Sequence, residues 1–174
     1  EMTSSLVGSE MCIRDRLRQV PIHRGDFFQI EPGCLHAIKG GTLILETQQS
    51  SDVTYRFYDY GRLQDGKPRQ LHIAQSLDVT RAPFRPAVPE RETWRQGDAV
   101  ITRLVKCPYY TVYHGEVDGE LKLDLDAPFV NLSVLAGQGT LDGQPVAGGD
   151  HMVLTADYGR LAVRGRLELI WSHI

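Results

Sequence analysis

From Leu17 onward every apolar run is short and ends at Gly, Pro or another turn residue. Runs of this length, rich in β-branched and aromatic residues and punctuated in this way, read as strands. In the first half they are 26–31 (DFFQIE), 35–39 (LHAIK), 42–48 (TLILETQ) and 53–60 (VTYRFYDY). In the second half they are 99–106, 109–117, 119–125, 128–136, 150–155, 159–165 and 166–174. Residues 141–145 (LDGQP) hold an Asp-Gly pair of hairpin type. Only 71–79 (LHIAQSLDV) has the spacing of a short helix. The chain has 174 residues, 17 of them Gly and nine Pro, and 41% are hydrophobic, enough for a core without staples. The expectation is an all-β chain built as a jelly roll or a similar closed sandwich.

The punctuation also divides the chain. Residues 81–90 (RAPFRPAVPE) carry three Pro and read as a linker. Beyond it, 91–174 is long enough for one complete jelly roll. Residues 17–80 hold about four strands and a helix, roughly half of the eight strands such a unit needs. Residues 1–16 (EMTSSLVGSEMCIRDR) keep neither period and lack the architecture of a signal peptide. The string SLVGSEMCIRDR is similar to translated sequencing adapter, and 1–16 is expected to be a non-native or disordered tail. On this expectation Cys12 carries no function and the natural chain began further upstream.

Charge and cysteines narrow the class. A net charge of −3 gives no basic surface for nucleic acid. No run approaches the roughly 18 apolar residues of a membrane span. The three Cys (12, 34 and 107) have no metal-type spacing and read as reduced thiols of a cytoplasmic protein.

Two motifs point to chemistry. GDFFQIEPGCLHAI resembles the second cupin motif, with Gly25, Asp26, Gly33 and His36 matching and Glu31 standing where the motif has Pro. LILETQQSSDVTYRFYDYGR, followed by GKPRQLHIAQSLDV and the closing LELIWSHI, resembles the type I mannose-6-phosphate isomerases (phosphomannose isomerases) of the short bacterial kind. The resemblance runs from about Leu17 to the last residue and is strongest over 25–79. It implies two cupin jelly rolls: here the end of a catalytic barrel (17–80), then a complete C-terminal barrel (91–174) without a metal site.

It also implies a zinc enzyme that interconverts mannose 6-phosphate and fructose 6-phosphate, both hexose 6-phosphates. On that basis His36 is the last zinc ligand in chain order, and Glu46 and Arg56 line the sugar-phosphate site. The shift moves a proton between C1 and C2 through an enediol, so it needs a base and charge stabilisation. Glu46 is the candidate base. Arg56 offers a planar fork to the phosphate or the enediolate oxygen. Read from pattern alone, Glu46 and Arg56 would instead be a surface ion pair between strands.

The family's other zinc ligands belong to an upstream Gln-x-His segment and a following Glu, and no such segment precedes Leu17. The six His, at 23, 36, 72, 114, 151 and 173, include no close pair. The expectation is a fragment that is catalytically incomplete alone. The alternative is a non-catalytic cupin module for sugar binding or assembly. Another cupin sugar-phosphate enzyme is a further rival, against which the Gln-Gln-Ser-Ser-Asp string argues. In 91–174 the motif returns at Gly149-Asp150, with Arg160 in the place of the His and His151 and His114 isolated.

Overall fold

The computed structural model describes residues 17–174. The segment 1–16, with Cys12, lies outside the described residues. Residues 92–173 form a seven-stranded antiparallel sheet. Its strands are β3 (Glu92–Gln96), β4 (Ala99–Lys106), β5 (Thr111–Leu125), β6 (Phe129–Leu141), β7 (Gln144–Ala147), β8 (His151–Thr155) and β9 (Gly159–His173). The order is β3-β4-β5-β9-β6-β7, and β8 pairs with β6 beside β7. A two-stranded ribbon, β1 (Leu63–Gln64) and β2 (Lys67–Pro68), and the helix α1 (Ile73–Val79) precede it.

The alternation read from sequence sets the buried face. On β5, Val117, Leu121 and Leu123 point inward; on β9, Leu161, Val163, Leu167, Leu169 and Trp171 do. On β6 the buried parity changes from Val130, Leu132 and Val134 to Leu141. A bulge between Val134 and Ala136, opposite β9, makes the change and keeps the apolar side inward on both sides of it. Each fully buried Leu or Ile here stabilises the fold by roughly 1.5–3 kcal/mol.

Two runs expected as separate strands are one in each case. Residues 111–125 are continuous, with Gly119 in the middle, and 159–173 are continuous, with Gly165 in the middle. Gly119 faces Gly165 across β5 and β9, and Gly165 faces Gly139 across β9 and β6. A Cβ at Gly165 would lie 2.6 Å from the Gly139 Cα, and one at Gly139 2.2 Å from the Arg164 carbonyl oxygen. The three glycines make a crease across the sheet, where side chains have no room and the strands bend without ending.

Residues 17–60 are not assigned as strands, contrary to the alternation at 26–31, 35–39, 42–48 and 53–60. The physical reason is pairing: a strand needs a hydrogen-bonded neighbour, and the described residues give these segments none. Their apolar side chains stay exposed, Leu43 fully, with Ile44, Leu45, Val53 and Tyr55 partly so. The exception is the stretch that docks on the outer face of β4, β5 and β9. Phe27 packs on Leu104, Val105 and Val112. Gln29 Nε2 donates to the Tyr110 hydroxyl at 3.0 Å, and Arg24 Nη2 donates to Glu168 Oε2 at 2.6 Å.

Candidate functional site

The motif around Asp26 is built by local rules. Asp26 Oδ2 accepts the His23 backbone N–H at 2.7 Å, and Gly25 takes φ +87°. The same geometry recurs at 147–150, where Asp150 Oδ2 accepts the Ala147 N–H at 2.7 Å and Gly149 has φ +101°. The Asp of each Gly-Asp pair is therefore a turn clamp. Glu31-Pro32-Gly33-Cys34 then makes a tight turn, closed by Cys34 N–H donating to the Glu31 carbonyl at 3.1 Å, with Gly33 at φ +86°. Pro at the second position and a left-handed Gly at the third is the type II arrangement. Gly33 also lies against the end of α1: its carbonyl accepts the Arg81 N–H at 2.9 Å.

This turn delivers His36. Its Nδ1 lies 2.9 Å from the Cys34 carbonyl oxygen. A carbonyl only accepts, so Nδ1 carries the proton and Nε2 is left as the free lone pair. That is the arrangement a metal-ligating His uses. His36 and Glu46 are both exposed. Cys34 is half-buried, which pushes its thiol up, away from the reactive thiolate.

Arg56 is half-buried and fixed through its backbone. Its N–H donates to His72 Nδ1 at 3.2 Å, and its carbonyl accepts the His72 N–H at 2.7 Å. His72 immediately precedes α1, so the helix start anchors Arg56. The loop between them is tied by a residue pair that the sequence reading missed. Arg69 Nε donates to Asp59 Oδ2 at 2.6 Å, and Arg69 Nη2 bonds Oδ1. The Arg69 hydrogen bonds hold the Asp59 carboxyl below its usual range against the opposing effect of burial, and the charges of Arg69, Arg62 and Arg56 add to the lowering. Three guanidinium groups around one carboxylate leave a positive surplus. The available signal was the spacing of Asp59, Arg62 and Arg69 around the turn-forming Asp65-Gly66.

No hydrogen bond or ion pair joins His36, Glu46 and Arg56 to one another among the described residues. The surface ion pair between Glu46 and Arg56 is therefore not formed. Among the described residues no three His, Cys, Asp or Glu side chains converge to hold a metal ion. A catalytic zinc takes about three protein ligands. His36 is oriented as one ligand, and the described residues do not complete a set.

In the sheet, Arg160 stands where the repeated motif would place its His. It is exposed and paired with Asp124, its register partner on β5. His151 is exposed and shares a hydrogen bond with Ser133 Oγ at 2.8 Å. His114 Nε2 lies 3.2 Å from Glu168 Oε1, beside Arg24.

Residues 100–174 match the family model of the mannose-6-phosphate isomerase cupin domain. Mannose-6-phosphate isomerase ManA of Bacillus subtilis is 40% identical over 166 residues, covering 91% of this chain and 52% of the relative. Over nine-tenths of its own length the chain is similar to mannose-6-phosphate isomerases.

A second such isomerase, from Streptococcus mutans, is 41% identical over 162 residues, covering 90% of this chain and 51% of its own length. The crystal structure of mannose 6-phosphate isomerase from Bacillus subtilis superposes with a TM-score of 0.66 at 34% identity, over 71% of this chain and 41% of that one. The chain spans about half the length of the curated relatives it matches. The all-β, cupin-type architecture agrees with the sequence expectation.

Proposed function

We propose that the chain is part of an aldose–ketose isomerase that interconverts mannose 6-phosphate and fructose 6-phosphate in the cytoplasm, with zinc as the metal. The observation that carries this is the 40% identity to a mannose-6-phosphate isomerase across 91% of the chain. The geometry supports it at two points. His36 presents a free Nε2, locked by its bond to the Cys34 carbonyl. Arg56, Arg62 and Arg69 give the loop a cationic character suited to a phosphate dianion. Zinc would be held by His36 together with ligands outside the described residues.

The roles follow from the groups. Glu46, an exposed carboxylate with no hydrogen-bond or ion-pair partner among the described residues, is the proton carrier between C1 and C2. The Arg56 guanidinium, whose backbone is pinned at both ends to His72, stabilises the phosphate or the oxygen charge that develops beside it.

The test joins the front half of the Bacillus subtilis relative to residues 17–174 and measures isomerisation of mannose 6-phosphate. Arg56→Ala is expected to lower kcat/KM by about 100- to 1,000-fold with zinc retained. Glu46→Gln is expected to abolish turnover at nearly constant volume, and His36→Ala to lose the metal. Near-native efficiency of Arg56→Ala would return the polar string to a structural role. The 174-residue chain alone is expected to release zinc on dialysis against chelator and to show negligible turnover. Stoichiometric zinc retention that His36→Ala abolishes would contradict this.

A further inference from the structure

A cavity of about 360 Å³ opens in the C-terminal sheet, far along the chain from His36, Glu46 and Arg56. Its walls include Trp94, Tyr113, Trp171 and His173, and its mouth carries Asp124 and Asp126. Tyr113 stacks with Trp171 (centroids 5.2 Å apart, planes 13°) and with His173 (5.8 Å, 24°), and it meets Trp94 edge-on at 6.2 Å. The aromatic wall is thus rigid before any ligand arrives. None of the lining residues is Lys or Arg. Asp124 is neutralised by Arg160, whereas Asp126 is exposed and has no hydrogen-bond or ion-pair partner among the described residues.

We infer that this cavity is a binding site for an uncharged hexose. Its volume lies at the small end of ligand pockets, which range over about 300–1,000 Å³. Aromatic walls pack against the C–H faces of a sugar ring, and a free carboxylate accepts hydrogen bonds from its hydroxyls. With one carboxylate already paired, the mouth holds a single unbalanced negative charge. That charge repels a phosphorylated sugar. Trp171 is only 5% exposed and Tyr113 is stacked on it, so the open aromatic surface is chiefly that of Trp94, enough for one face of a sugar ring and less than the several faces a cage for an organic cation needs. The site therefore differs in charge preference from the Arg-rich loop, and it stands or falls independently of the isomerase reading.

The chain's only tryptophans, Trp94 and Trp171, both line this cavity, so selectively excited tryptophan emission reports on it. Titration of the full chain with D-mannose is expected to give a saturable emission change with a Kd on the order of 1 mM. Asp126→Asn, an exposed change that leaves the unfolding midpoint in place, is expected to weaken it at least about tenfold, the effect of one lost charge-assisted hydrogen bond. Mannose 6-phosphate and choline are each expected to bind more weakly than the neutral sugar. The inference is overturned if no saturable change appears, if Asp126→Asn binds as well as the parent, or if either charged probe binds as tightly as mannose.

Discussion

Gly115 and Glu168 show how much single positions on β5 and β9 decide. A Cβ built on Gly115 would lie 2.7 Å from the Trp171 ring. Gly115→Ala therefore has to displace an indole that is stacked on Tyr113, and it is expected to cost about 1–3 kcal/mol by chemical denaturation, as overpacking does. An unchanged midpoint would mean that the ring moves freely. Glu168 takes two partners from different parts of the chain, Arg24 and His114. Partial burial pushes its carboxyl up, but the hydrogen bonds from Arg24 and His114 outweigh this and the net direction is down. A carboxyl held below its unfolded value, near about 4.3, stabilises the fold fully above that pH and loses the contribution as pH falls through the lower, folded value. Wild-type protein is accordingly expected to lose more stability than Glu168→Gln on acidification from about pH 6 to pH 3. Parallel pH profiles for the two proteins would show that the cluster carries no linkage.

Among the elements, the β6–β7 hairpin carries the clearest local code. Asp142 and Gly143 form its two-residue turn, both at positive φ (+47° and +83°), as the mirror-image hairpin turn requires. Asp142 also works outward from the turn: its carboxylate accepts the Tyr158 hydroxyl at 2.6 Å and the Ala162 N–H at 2.8 Å. The Tyr158 bond, then the Ala162 bond, hold the Asp142 carboxyl low, and Asp142 in turn pushes the Tyr158 hydroxyl up. Asp142→Ala removes both bonds and places a Cβ-only residue at positive φ. A loss of about 1–2 kcal/mol is expected in thermal or denaturant unfolding, against about zero if the turn tolerates any residue.

This hairpin was legible in the sequence because its code lies in two adjacent residues. α1 was legible because its apolar spacing is complete within the nine residues 71–79. The continuity of β5 and β9 was not, because Gly119 and Gly165 look like ends when each is read alone. Only their pairing, 46 residues apart in number, makes them a crease. The Asp59–Arg69 tie was missed because an ion pair has no period. The alternation at 26–60 was read correctly as apolar and polar, but alternation alone supplies no pairing partner. His36 was legible from its motif, whereas the bond that fixes its free nitrogen depends on a backbone turn that only coordinates reveal.

For the whole molecule, the division at the Pro-rich 81–90 is a proposal with a direct test. Residues 91–174 contain every strand of the seven-stranded sheet and the main apolar cluster. Expressed alone, they are expected to unfold cooperatively, at a lower midpoint than the whole chain. The loss comes from uncovering Leu104, Val105 and Val112, which Phe27 shields, and from removing Arg24 from Glu168. Non-cooperative melting would merge the two halves into one folding unit. The sheet order has a consequence in time as well as in space. β9, the last strand of this sheet to be made, lies between β5 and β6 near the middle of the sheet. At the roughly 5–20 residues added per second during synthesis, β5 and β6 wait for seconds with an edge of each unpaired. Until His173 has left the ribosome, those edges are open to any extended chain nearby. The strand order therefore sets an interval during synthesis in which two long edges of this sheet stand open.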